Sequence, residues 1–189
     1  MYYNGHTICD RPARSLVLTG RAPRRWTIEA AAALDALFSQ YAQPICAYLG
    51  RMLGDDGQAQ ELTQETFLRA YRALLRGEEW ANPRAWLYRT ASRLAIDAYR
   101  RQRLLRWLPL SFQPAAPDSA AGTLDQMAMR TALASLPLHY RLPLVLYTCE
   151  GYSVAEVADI LGLSASACKM RLCRARERLR QAYGLESER

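Results

Sequence analysis

Lysine is nearly absent from this chain: of 25 basic residues 24 are arginine, and Lys169 stands alone. Histidine is almost as scarce, with only His6 and His139, and the five cysteines (Cys9, Cys46, Cys149, Cys168 and Cys173) are scattered without a C-x-x-C pair. That pattern argues against zinc and against a disulfide framework, and we expect reduced structural thiols. Long hydrophobic runs are missing too. The longest uncharged stretch, 36–50, contains Gln40, Gln43 and Pro44 and is too short and too polar to cross a bilayer. Asp10 and five arginines interrupt every apolar segment of the first 26 residues, so we expect no signal peptide and a cytoplasmic protein. No run of alternating β-branched residues occurs, which removes the usual signal for a sheet.

What is present is apolar mass and positive charge. Half of the 189 residues are hydrophobic and 10% are aromatic, enough for one domain or two small ones. The net charge is +7 and the isoelectric point is near 9.4, a balance suited to a polyanionic partner.

Helix formers dominate from about Ile28 onward, so the expected fold is all-α: two small helical domains joined by a Pro-rich linker, the second domain a helix-turn-helix. Residues 1–26 read as a mobile basic arm with a balance of +4, residues 107–123 as the linker, since Pro109, Pro114, Pro117 and Gly122 cannot sustain a helix, and residues 184–189 as a tail. The domains then span 27–106 and 124–183. In the first, 29–41 and 45–53 read as helical, with Pro44 either kinking one helix or opening a second. Residues 54–57 make a turn. A further helix over 58–76 turns Thr63, Phe67, Ala70, Tyr71 and Leu74 inward, and Glu61, Glu65, Arg69 and Arg72 outward.

Asn82-Pro83 supplies an N-cap and a first-turn proline for a helix running to about Arg106. Its apolar stripe is Leu87, Ala91, Leu94 and Ala98; Trp86, Arg89, Thr90, Arg93, Asp97 and Arg100 gather on the opposite side. From Arg84 to Arg106 seven arginines face one acid. Arginines in such a row can track phosphates, and an aromatic ring beside them can stack on an unpaired base. The plainer alternative is a solvated face with an Arg93–Asp97 ion pair and a half-buried Trp86.

In the second domain 127–136 and 142–149 read as supporting helices, the latter partly broken by Pro143. Ser153 and Glu156 form a capping box that opens a helix burying Val157, Ile160 and Leu161. Gly162-Leu163-Ser164 is a tight turn with Ser164 as the next N-cap. The helix that follows, 165–181, carries Cys168, Leu172, Ala175 and Leu179 on one stripe, flanked by Arg171, Arg174 and Arg178 on one side and Lys169, Arg176 and Arg180 on the other. This is a helix-turn-helix with a basic second helix, the arrangement that enters a major groove. Ser166, Ala167, Met170 and Cys173 between the flanks lack bidentate donors, so direct base readout there is modest; Arg171 and Arg174 are the stronger candidates for base or phosphate contact.

Together these features resemble the extracytoplasmic-function sigma factors of bacterial RNA polymerase, over roughly residues 34–183 without the linker. The stretches that carry the resemblance are 59–71 (AQELTQETFLRAY), 86–91 (WLYRTA) with 95–97 (AID), Leu136-Pro137, Tyr140-Arg141, Glu156-Val157-Ala158 with Leu161-Gly162, and 174–179 (RARERL). The resemblance implies that the first domain is sigma region 2 and the second sigma region 4. It places Glu61, Gln64, Glu65 and Leu68 against the clamp helices of the largest polymerase subunit. It places Trp86, Arg89, Arg93, Asp97, Arg100 and Arg101 on the −10 element, and Ser166, Lys169, Met170, Arg171, Arg174, Arg176 and Arg178 on the −35 element. The implied partners are core polymerase, including the flap of the second-largest subunit, and promoter DNA. Many relatives are also held by an anti-sigma factor, often a membrane protein, which would sequester at the membrane a protein otherwise associated with the nucleoid. A monomer is implied, with no cofactor, metal or small-molecule substrate. The chain departs from the family pattern at Arg93, where Asn is usual, at Ala167-Cys168 for Thr-Val, and at Met170 for Ser; the latter changes remove hydroxyl donors to phosphate, so the family's base preferences do not carry over directly.

Two rival readings differ in class. A stand-alone helix-turn-helix regulator explains the second domain, leaves the first unexplained, and predicts binding to duplex DNA without polymerase. An enzyme would need Glu61 and Glu65 as metal ligands or a nucleophile with a base; no such base and no Gly-rich phosphate loop is evident, so a non-enzyme is expected.

Overall fold

A computed structural model describes residues 24–105 and 124–183. The linker, the tail and most of the basic arm lie outside these residues, although the last three positions assigned to the arm, 24–26, already belong to a helix. Among the described residues seven helices are present and no strand.

The first three helices form one bundle. Helix α1 (Arg24–Leu53) runs without interruption through Pro44. An interior proline costs about 3 kcal/mol because it removes one backbone bond and crowds the preceding turn. Here Pro44 and Gln40, whose carbonyl loses its partner, both lie on the exposed side, where water can take the bond. The next turns bury Ile45, Tyr48, Leu49 and Met52 completely, and that burial offsets the local cost. Gly54, at φ 71°, ends the helix in the left-handed region that a side chain would disfavour. Helix α2 (Asp56–Leu75) starts two residues earlier than its periodicity predicts, because Asp55 caps it by accepting from Gln58 N at 2.9 Å. Helix α3 (Pro83–Leu105) is capped by Asn82, which accepts from Ala85 N at 3.0 Å, and its apolar stripe is buried as expected. Between α1 and α3, Tyr48 Oη and Ser92 Oγ are hydrogen-bonded at 2.7 Å, and Ser92 also donates to Tyr88 O at 2.6 Å. Burial pushes the Tyr48 hydroxyl well above the usual phenol range, which keeps it neutral.

The second bundle consists of α4 (Leu124–Ser135), α5 (Leu138–Thr148), α6 (Val154–Leu161) and α7 (Ala165–Ala182). Pro143 lies inside α5 and does not divide it. The capping box is present in both directions: Glu156 N donates to Ser153 Oγ at 3.3 Å, and Ser153 N donates to Glu156 Oε2 at 2.8 Å. Hydrogen bonding to the carboxylate from the Ser153 side chain, and then from the Ser153 backbone N–H, holds the Glu156 carboxyl below the usual carboxylate range. Gly162, at φ 65°, makes the left-handed cap between α6 and α7, and Ser164 caps α7 by accepting from Ala167 N at 3.2 Å.

The two bundles also pack against each other. Helix α1 meets α4 and α5, and α3 meets α5 and α6, so the buried side chains form one continuous cluster. Arg141 lies in this seam, 4% exposed, and donates to Met52 O at the end of α1 and to Ala134 O and Leu136 O at the end of α4.

Candidate nucleic-acid interface

The outer face of α3 opens with a pair of rings. Trp86 is stacked on Trp80, with centroids 4.3 Å apart and planes 19° from parallel. Trp80 precedes the helix in the loop after α2 and had no periodic signal of its own; its spacing from Trp86 across the Asn82-Pro83 cap was the only hint. Along the same face Arg93, Asp97, Arg100 and Arg101 are exposed. Among the described residues Arg93 and Asp97 make no ion pair with each other, while the face is solvated and Trp86 is half-buried, as the plainer alternative has it. Arg89 differs: its Nη2 meets Asp159 Oδ2 of α6 at 2.5 Å. Arg84 also turns towards the second bundle, donating to Glu150 O and lying over the Tyr152 ring at 4.4 Å. The positive row available to a phosphate backbone is therefore Arg93, Arg100, Arg101 and Arg103.

On α2, Glu61, Gln64 and Leu68 are exposed, and Leu68 holds 49% of its surface in water among polar neighbours. Glu65 is half-buried and accepts from Arg69 Nε at 2.8 Å. Phe38 of α1 packs edge-on against Phe67 at 5.0 Å while remaining 48% exposed. It was not among the sequence candidates, because its place beside α2 depends on how α1 and α2 pack.

The basic helix α7 is anchored by Cys168, Leu172 and Ala175, whose burial turns Ser166, Lys169, Met170 and Arg174 outward. Arg171 is half-buried, and together with Arg178 it lowers the pKa of His139, after desolvation of that ring. The remaining two candidates lean on their own domain: the Arg176 guanidinium lies 5.1 Å from the Tyr147 ring centre, and that of Arg178 5.0 Å from Tyr140. These cation–π contacts orient both side chains along the flanks of the helix. Among the described residues no three His, Cys, Asp or Glu side chains converge as metal ligands, and no helix is long and apolar enough to cross a membrane.

Comparison with known proteins accounts for both bundles. The family Sigma-70 region 2 matches residues 37–104, and the family Sigma-70, region 4 matches residues 126–179. The ECF RNA polymerase sigma factor SigL of Mycobacterium tuberculosis is 32% identical over 148 residues, covering 75% of this chain and 84% of the relative. The RNA polymerase sigma factor CarQ of Myxococcus xanthus is 32% identical over 156 residues, covering 80% of this chain and 90% of that one. Among solved structures, CnrH in complex with the cytosolic domain of CnrY superimposes with a TM-score of 0.62 at 27% identity, covering 88% of this chain and all of the other. The sigma factor RpoE from Bartonella quintana, in complex with the anti-sigma factor NepR, reaches the same score of 0.62 at 22% identity, a likeness of fold, over 87% of this chain. A stand-alone helix-turn-helix regulator would leave the match over 37–104 without a role, and an enzyme is not indicated by either family. With both of its helical bundles matched in order and these curated relatives covered over most of their length, the chain belongs to the extracytoplasmic-function family of RNA polymerase sigma factors.

Proposed function

We propose that each exposed helix face serves one contact of transcription initiation, with region 2 spanning residues 27–106 and region 4 spanning 124–183. The α2 surface of Glu61, Gln64, Glu65 and Leu68 docks on the clamp helices of the largest polymerase subunit, with Phe38 extending its apolar part, and region 4 meets the flap of the second-largest subunit. The α3 face captures the −10 element: Trp86 stacks on an unpaired base while Arg89, Arg93, Arg100 and Arg101, with Asp97 between them, follow the strand. Strand opening then needs no bond-making chemistry, only tighter binding to splayed bases and phosphates than to duplex.

The observation that carries the reading is the outward face of α7. Its anchoring by Cys168, Leu172 and Ala175 leaves Ser166, Lys169, Met170 and Arg174 free to enter a major groove at the −35 element. Arg171, Arg176 and Arg178 flank that face within reach of the phosphates. An anti-sigma factor as a further partner is supported by the relative CnrH, whose structure was determined with the cytosolic domain of CnrY. The protein acts as a monomer in the cytoplasm, at the nucleoid, unless such a partner retains it at the membrane.

Purified chain, bacterial core polymerase and a library of promoter fragments test this in one assay. Stable core binding with start-site-specific run-off transcripts is the expected result, and it would supply the −35 and −10 sequences together. Tight duplex binding without any association with core would overturn the assignment of the α2 surface.

A further inference from the structure

One large apolar side chain stands on the outward face of α7. Met170 is 53% exposed, and of the exposed large apolar residues among those described it alone belongs to this helix. A single exposed methionine needs no explanation on an ordinary surface. Its surroundings here are not ordinary. Burial of Cys168, Leu172 and Ala175 fixes the rotation of the helix, so Ser166, Met170 and Cys173, spaced by four and then three residues, follow one another along the side opposite the core. Lys169 and Arg176 border this strip on one side and Arg174 on the other. Ser166 Oγ is engaged at 3.1 Å with Ser164 Oγ, which itself caps the helix. Glu177, at the far end of the strip, is paired with Arg180 at 3.4 Å. Met170 is therefore the longest neutral side chain on the strip, and it carries methylene, thioether and methyl groups but no N–H or O–H.

In a major groove the bordering cations reach phosphates, and the strip between them lies against the base edges. Thymine alone presents a C5 methyl group there, whereas the other three bases present only N–H donors or nitrogen and oxygen acceptors. Contact between the thioether chain and that methyl removes apolar surface from water on both sides. The same contact against the cytosine amino group or guanine O6 strips away a hydrogen bond to water and returns none. The unbranched methionine chain can also adjust its rotamers to the methyl's position.

We propose that Met170 is a specificity-determining residue of the −35 contact, selecting a thymine through its 5-methyl group. This rests on the reading of α7 as the helix that enters the groove at the −35 element. Serine, usual at this place in the family, has no comparable apolar reach, so the preference belongs to this chain's own residue.

The test uses the chain bound to core polymerase and a −35 duplex that this complex selects from a randomised library. Each thymine of the selected element is replaced, one at a time, by deoxyuridine, which removes the methyl group and keeps the base pair. Burial of one methyl group corresponds to about a fourfold change in affinity, so one replacement should weaken binding by about that factor in the parent complex. Met170→Ala should bind thymine and deoxyuridine equally at that position, and Met170→Leu should retain the discrimination. Met170 is at the surface, so both variants keep the fold. A selected element without thymine, the absence of a penalty from every replacement, or an unchanged penalty in Met170→Ala would overturn the proposal. Arg174→Ala then locates the fault. Weaker binding of that variant to the selected duplex keeps α7 in the groove and discards the role of Met170 alone, and unaltered binding removes the placement of α7 as well.

Discussion

Replacing Arg141 by methionine should destabilise the whole chain, and the size of the effect follows from what the guanidinium touches. Its Nη1 donates to Met52 O at 2.6 Å, and its Nη2 donates to Ala134 O at 2.6 Å and Leu136 O at 2.8 Å. Met52 lies in the last turn of α1, and Ala134 in the last turn of α4. The cation therefore sits where two helices present carbonyls without helical partners, at the negative ends of two backbone dipoles. Among the described residues no carboxylate is paired with it, and burial lowers its pKa from the ordinary value while the guanidinium remains charged. A hydrogen bond from a charged donor contributes about 1.5–3 kcal/mol, so three of them amount to roughly 5–9 kcal/mol. Methionine retains much of the side chain's volume and removes the several kcal/mol, in order of magnitude, that desolvating the ion costs. The net loss is about 3–5 kcal/mol, and at about 2–4 °C per kcal/mol for a chain of this size the midpoint should fall by about 10 °C. Thermal unfolding followed by circular dichroism at neutral pH measures it. Arg141→Lys should recover only a small part, because one ammonium cannot span carbonyls on both helix ends as the planar fork does. A midpoint for Arg141→Met within about 2 °C of the parent chain would refute this account of the seam.

Four further outcomes are expected. Glu65→Arg places a like charge four residues before Arg69 and should abolish core-polymerase affinity while leaving helix content intact; unchanged pull-down by core would remove that surface from the interface. Trp86→Ala should impair open-complex formation more than core binding, so normal permanganate reactivity of promoter thymines in the variant would contradict base stacking at this position. Arg174→Ala should weaken −35 binding by about 1–3 kcal/mol if it reads a base, and equal loss on promoter and random DNA would make it a phosphate contact. The fourth concerns pH. The Glu156 carboxyl is held below its ordinary value of 4.5, so the unfolded chain binds the proton more readily; the cap of α6 contributes fully above about that pH and is lost as pH falls through the lower folded value. Amide exchange in α6 should accelerate on acidification in the parent chain, and Ser153→Ala should flatten that dependence.

Much of the architecture is local and could be read directly. The caps at Asn82, Ser153 and Ser164, the left-handed Gly162 and the apolar stripes of α3 and α7 are all written within a few residues of where they act. A backbone whose hydrogen bonds span four residues leaves its periodicity in the sequence at the same range. Periodicity also identified the polar side of α3. It could not tell which arginines on that side remain free, nor that α1 continues through Pro44, because the burial that offsets the proline is tertiary.

Sequence alone thus determined the all-α class, the helix-turn-helix and the two basic helices. Only the tertiary structure decided the allocation of charge: Arg84 and Arg89 to the second bundle, Arg176 and Arg178 to the rings of α5, Arg141 to two helix ends, and Glu150 to Arg51, Arg84 and Tyr88. Most of these partners lie far apart along the chain, 99 residues in the case of Arg51 and Glu150. A pattern with a period of 3.6 specifies the direction in which a side chain leaves its helix; what it meets there depends on how the helices pack.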